Sequence, residues 1–347
     1  MKDLMVTERL SSGPFDAVLL IGFGGPQGRE DIRPFLQNVL RARRIPPARF
    51  EAVVQHYELF DGVSPLTEIT MRQAAGLRTR LAADGLQLPV YVGMRNWHPF
   101  LDDTLSEMAL AGVQHNLGII LAAQHCYSSC GQYKQNVSQA LSEPRNQKTA
   151  ELKVTYVAGW HDHQGFVAAN AECIRDALDT LPAALRQEAR LVFTAHSIPQ
   201  AMARVSRYEE ELRESAALVA QHVGCKDWAL AFQSRSGRPG DPWLEPDICD
   251  YLRAEVKTGL KSVMSSPIGF VCDHVEVLYD LDIEAAEACR DLGLPMRRAA
   301  SVGEHPMFLD MLADVVRQAH RRYGRGRPLP LVPANLPLPL ELPPPAR

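Results

Sequence analysis

The amino-acid sequence predicts an α/β fold of two Rossmann-like lobes, each a parallel sheet flanked by helices. Three observations carry that reading. Apolar runs of buried-strand length occur seven times, stretches of helical length separate them, and 347 residues is about twice an ordinary domain.

The first run, residues 16–23 (DAVLLIGF), stops at Gly24, Gly25 and Pro26, as a buried strand ending in a turn would. Further strands are expected at 89–94, 117–123, 153–160, 190–195, 228–232 and 261–270. Helical periodicity fills 65–83, 100–111, 166–181, 208–223 and 281–292. Strand and helix in alternation build parallel sheets covered on both faces, and this many strands suit two sheets better than one. The expected division is an N-terminal lobe at 14–162, a C-terminal lobe at 163–323 and a tail at 324–347. The triplet IGF closes runs at 21–23 and at 268–270, which would fit a duplicated half. In the tail, eight of the chain's 25 prolines fall within residues 327–347, a composition that forbids helix and favours extended, disordered chain.

Composition removes several function classes. With 46% hydrophobic and 22% charged residues the chain is neither fibrous nor low-complexity. Its longest apolar run, 117–123, is far short of the roughly 20 residues of a membrane span, so no integral membrane segment is expected. Nothing in the first fifteen residues resembles a secretory core, and a cytoplasmic location is expected. The 37 basic and 41 acidic side chains leave a net charge of −4, no footprint for nucleic acid. Seven scattered cysteines are too few for a disulfide scaffold and suit a reducing compartment.

Open parallel sheets bind ligands outside the carboxyl ends of their strands, so polar residues there are the candidates for chemistry. His196 stands where the run 190–195 stops and the chain turns. Beyond the run 261–270 comes CDHVEVLYDLDIE, in which Glu276, Asp280 and Glu284 are four apart and would share one face of an α-helix. Stacked like charges repel, and a cation held by or passing along them supplies a reason for the arrangement. GFGGP at 22–26 does not fit a GxGxxG dinucleotide fingerprint; its glycines suit close backbone approach to a flat ligand. Cys126 and Cys130 form a CxxxC pair, short of the four soft ligands a zinc or iron–sulfur site wants.

Six blocks together resemble the ferrochelatases: GFGGP, YELFDGVSPL at 57–66, GMRNWHPF at 93–100, FTAHSIP at 193–199, FQSRSGRPGDPWLEPD at 232–247 and SPIGFVCDHVEVLYDLDIE at 266–284. The resemblance spans about residues 15–323 and implies a chelatase-like fold whose two lobes close on a porphyrin in a cleft between them. It implies His196 and Glu276 as the catalytic pair, with His196, Glu276, Asp280 and Glu284 handling the metal. The wording is most similar to coproporphyrin III ferrochelatases of actinobacterial type. That similarity implies coproporphyrin III and Fe2+ as substrates and coproheme as product, with protoporphyrin IX insertion or a non-catalytic tetrapyrrole carrier as alternatives. By position, Phe23, Arg41, His56, Ser64, Arg95 and Tyr133 would contact the porphyrin, with Arg43 and Arg44 nearby. Two departures stand out. Phe23 replaces a tyrosine that can ligate iron in several relatives, and no cysteine follows Cys289, so a [2Fe-2S] cluster is not expected. No other cofactor is expected, and a monomer is.

Overall fold

The computed structural model describes residues 13–41, 45–142, 151–236 and 240–325. Arg43, Arg44 and nearly all of the proline-rich tail lie outside them. Among the described residues eight strands form two sheets of four. The first sheet contains β1 (Ala17–Gly22), β2 (Val90–Met94), β3 (His115–Ile120) and β4 (Lys153–Tyr156) in the order β2-β1-β3-β4, every pairing parallel. The second contains β5 (Ala189–His196), β6 (Trp228–Gln233), β7 (Ser262–Ser266) and β8 (Met296–Arg298) in the order β6-β5-β7-β8, again all parallel. Central strands covered on both faces need apolar side chains throughout, and all six residues of β1 are buried.

The two sheets repeat one topology, in which β5 takes the place of β1 and β7 that of β3. One IGF triplet ends β1 and the other follows β7, which are not equivalent strands, so they do not mark that repetition. Three strands end three or four residues earlier than the apolar runs suggest: β7 stops at Ser266, before Pro267 removes a ladder donor, β4 at Tyr156 and β3 at Ile120. The strand β8 escaped the apolar pattern because it is a three-residue edge, MRR, with two arginines.

One hydrophobic core joins the sheets. Val18 and Leu20 of β1, Leu191 and Phe193 of β5, and Phe166, Phe308 and Leu312 from helices between them belong to a single buried cluster. The helix Pro306–Gly324 packs on Leu66–Ala83 as well as on Gln164–Asp179, so the last described helix returns to the first sheet's side. Gly76 allows that approach, since a Cβ there would stand 2.6 Å from Leu309 Cδ1. A second bridge is the helix Pro47–Glu58, whose Val54 and Tyr57 share a buried cluster with Val275. No described helix is long and apolar enough to cross a membrane.

Candidate active site

In a sheet of order 2-1-3-4 the chain reverses its direction of winding between the first and third strands, and the carboxyl ends of those strands frame a crevice. This molecule has two such crevices. At the second sheet's, β5 ends on His196 and the segment after β7 leads into the helical stretch Val275–Val277, Leu278–Ala285 and Ala286–Asp291 that carries Glu276, Asp280 and Glu284. At the first sheet's, β1 ends before Phe23 and Gly24, and the segment after β3 carries Tyr133.

His196 Nδ1 contacts the carbonyl oxygen of Ser197. A carbonyl can only accept, so Nδ1 carries a proton, and whenever the ring is neutral Nε2 is its lone-pair nitrogen. The His196 backbone is fixed as well, its carbonyl accepting from Tyr208 Oη at 3.0 Å. Asp280 is held by the end of β6: Gln233 Nε2 donates to its carboxylate at 3.3 Å, and Ser234 Oγ donates to the same oxygen. Ser234 makes that contact from a left-handed backbone conformation, φ 59°.

Over Leu278–Ala285 the helix widens to i→i+5 turns, where the sequence pattern had suggested an ordinary α-helix. Such wide turns are rare and often sit at functional sites. Residues four apart remain neighbours, and the electrostatics register it. Asp280 is pushed up to about 7 by desolvation, further raised by Glu276 and Glu284, and opposed by the Ser234 hydrogen bond and by His196. Glu276 is also pushed up to about 7, by desolvation alone. Its side chain is reached by solvent, yet the surrounding protein excludes most of the bulk water that would stabilise a charge. Glu284, farther along, is raised by desolvation and by Asp247 and Glu287. His274, at the start of the helix, is lowered to about 4 by desolvation, with Asp273 opposing and His196 adding to the fall. His196, Glu276 and Asp280 thus belong to one electrostatic neighbourhood.

The first sheet's side is aromatic and basic. Phe23 meets Phe35 edge-on, ring centroids 6.3 Å apart. The Arg95 guanidinium lies 5.8 Å from the centroid of the Tyr133 ring. Arg41 donates through Nε to Asn38 O at 2.9 Å and through Nη2 to Arg95 O at 3.2 Å, closing the end of its helix. Ser64 is buried against Gly25, where a Cβ would come within 2.6 Å of the serine Cβ, and Gly24 adopts φ 85° against Trp97. These two glycines therefore answer close approach within the chain itself. His56 stacks on Tyr279 of the acidic helix, centroids 3.6 Å apart and planes 13° from parallel.

Sequence reasoning passed over three groups that shape the site. Tyr57 is buried and its hydroxyl is held in the protonated form by desolvation and by the charges of Glu276 and Asp280. Ser234 and Arg298 anchor the acidic helix; Arg298 binds Asp282 through Nε and Nη2 at 2.7 and 2.9 Å and Asp273 at 3.2 Å. Their signal was present only as polar residues next to strand ends. Cys126 caps the wide turn Tyr127–Gly131 and Cys130 lies within it, both buried, and among the described residues no group suited to a metal contains a cysteine.

Two four-stranded parallel sheets with their crevices on a shared core define a chelatase fold. The solved structure of SirB from Bacillus subtilis with Fe3+ shares it, with a TM-score of 0.55, 13% identity and coverage of 90% of this chain and 98% of that one. The family model for ferrochelatase matches residues 15–320, and the chain belongs to the ferrochelatase family. It is similar to the Rhodopirellula baltica protein named ferrochelatase, 44% identical with 88% of this chain and 86% of that one covered. It is also similar to the coproporphyrin III ferrochelatases of Streptomyces coelicolor, 41% identical over 94% of this chain and 90% of that one, and Corynebacterium glutamicum strain R, 39% identical over 89% and 85%.

Proposed function

We propose that this ferrochelatase inserts Fe2+ into coproporphyrin III and releases coproheme, with His196 and Glu276 as its catalytic pair. The observation that carries the assignment of roles is the grouping of His196 with two carboxyls, Glu276 and Asp280, each poised at about 7. Insertion removes two pyrrole protons, strips water from the metal and needs the ring bent so that its nitrogens face the iron. An imidazole whose Nδ1 is committed to a carbonyl offers Nε2 to those protons. Carboxylates are hard oxygen donors for Fe2+, and two that titrate near neutrality exchange a proton for a metal at little cost. Glu284 extends the line toward solvent as the entry side. The porphyrin lies against Phe23, with its propionates toward Arg41, Ser64, Arg95 and Tyr133 and His56 at the periphery. Phe23 cannot ligate iron, so His196 or Glu276 is left to hold it in the product. The protein works as a cytoplasmic monomer, and no resident cofactor enters the reaction.

Anaerobic assay with coproporphyrin III tests the pair. His196→Ala and Glu276→Gln should each lower kcat by about 10²- to 10⁴-fold while the protein still binds porphyrin. Wild-type rates in either variant would refute the roles. The alternative substrate is protoporphyrin IX. If kcat/KM were higher on protoporphyrin IX, that reading would replace this one.

A further inference from the structure

Away from this cleft, three segments bring together a second set of ligating side chains. His125 lies beyond the end of β3, His161 beyond the end of β4, and Glu211 and Glu214 on the helix Tyr208–Val223 beside the second sheet. One nitrogen or oxygen from each of His125, His161 and Glu211 lies within 4.8 Å of the others. Glu211 is 3% exposed and His161 7%, so both are held in low dielectric. Desolvation would raise Glu211, but the hydrogen bonds and charge of His125, with His161 adding, outweigh it and hold the carboxyl below its ordinary range. It is an anion at neutral pH.

At His161 the protonation pattern is the one a metal requires. His161 Nε2 faces Glu214 Oε2 at 3.0 Å, which fixes the proton on Nε2 and leaves Nδ1 as the lone-pair nitrogen. That Nδ1 is buried and has no hydrogen-bond partner. An orphaned acceptor in the interior costs stability and asks for a ligand. Glu211 Oε2 accepts from the backbone N–H of His125 at 2.7 Å and meets His125 Nδ1 at 2.9 Å, while Arg207 Nη1 stands 3.7 Å from the other oxygen. The His125 ring lies on the backbone of Gly159, where a Cβ would come within 2.4 Å of Cε1, so the glycine makes room for the imidazole.

We propose that His125, His161 and Glu211 form a binding site for a zinc-class divalent transition-metal ion, separate from the insertion site, with water as the fourth ligand. Two imidazoles and one carboxylate are a donor set for Zn2+, Co2+ or Fe2+ and a poor one for Mg2+ or Ca2+. Tetrahedral donors about 2.0–2.2 Å from such an ion are about 3.3–3.6 Å apart, within reach of side-chain rotation from the present spacing. Because the ligands come from the carboxyl ends of two strands of the first sheet and from a helix of the second, the ion clamps the two halves together. It leaves the Fe2+ path along Glu276 untouched.

The test is titration of chelator-stripped full-length protein with Co2+, read by visible d–d absorption and by Tm. Wild type should bind one equivalent more than His125→Phe/Glu211→Gln, with a tetrahedral spectrum that the double variant lacks. Glu276→Gln should keep that equivalent, which separates it from the insertion site. Glu211→Gln alone, nearly isosteric, should weaken the equivalent by tenfold or more and abolish the Co2+-induced rise in Tm. Equal Co2+ stoichiometry and equal Tm response in wild type and the folded Glu211→Gln variant would overturn the proposal, as would loss of all Co2+ binding in Glu276→Gln.

Discussion

At the residue scale, the proton balance of the acidic pair sets a sign that can be checked. Glu276 and Asp280 both stand at about 7, Glu276 through burial and Asp280 through burial with the charge of Glu276 added, so Asp280 titrates in the field of its neighbour. Drawing in a dication requires them charged, and kcat/KM for Fe2+ should therefore climb as pH rises through about 7. Glu276→Gln removes a like charge from beside Asp280, and the remaining limb should move to lower pH. A pH–rate profile of the variant with an unmoved limb would contradict the coupling. Stability runs the other way. A carboxyl whose folded value lies above its unfolded one binds more protons in the folded state across that interval, so its contribution is full below the unfolded value and lost as pH rises through about 7. Wild-type Tm should fall between pH 5 and 8 more steeply than that of Glu276→Gln, which lacks one of the two raised groups.

At the scale of elements, the acidic helix is held at the points where the sequence was hardest to read. Strands built from apolar runs, and His196 at the end of one, were legible because burial on both sheet faces demands such runs and because ligands gather at strand ends. The spacing of Glu276, Asp280 and Glu284 was legible too, but not the widened turn that carries them, since helical periodicity does not distinguish i→i+4 from i→i+5 bonding. Nor was the clamp that fixes this helix, because Asp273, Asp282 and Arg298 are 9 and 16 residues apart and Arg298 sits on an unrecognised edge strand. Arg298 is 13% exposed in its side chain and serves two carboxylates, a planar bidentate task that an ammonium cannot copy. Arg298→Met should cost about 1.5–3 kcal/mol, since it removes the charge-assisted hydrogen bonds to both carboxylates and leaves Asp273 with Ser301 alone. Arg298→Lys should cost less and still depress kcat by misplacing Glu276. Urea unfolding and anaerobic turnover measure the two effects separately. A Ser234→Ala variant tests the other end of the same element: without the hydroxyl that lowers it, Asp280 should titrate higher and the rising limb of activity move to higher pH.

At the scale of the whole molecule, the near balance of 37 basic and 41 acidic side chains hides a separation across the cleft. Arg41 and Arg95 lie on the first sheet's side and the line of Glu276, Asp280 and Glu284 on the second's, joined by the His56–Tyr279 stack and the cluster around Tyr57 and Val275. On the proposed function a macrocycle sandwiched there would meet cations at its rim and carboxylates over its centre, an arrangement that would draw the acidic porphyrin and the metal from different directions. Coproporphyrin III carries four propionates and protoporphyrin IX two, so the rim should discriminate by charge. Exposed charges a Debye length apart are screened, with that length falling from about 10 Å at 0.1 M salt to about 3 Å at 1 M. The kcat/KM for coproporphyrin III should therefore exceed that for protoporphyrin IX at low salt and fall more steeply as salt is added, the two lines converging. A charge-assisted hydrogen bond contributes about 1.5–3 kcal/mol, so Arg95→Ala should narrow the ratio by roughly 10- to 100-fold, mainly through KM for the tetra-anionic substrate. Were both porphyrins to respond alike to salt and to Arg95→Ala, discrimination would have to lie in the fit of the ring against Phe23 and Tyr133 rather than in the charges at the rim.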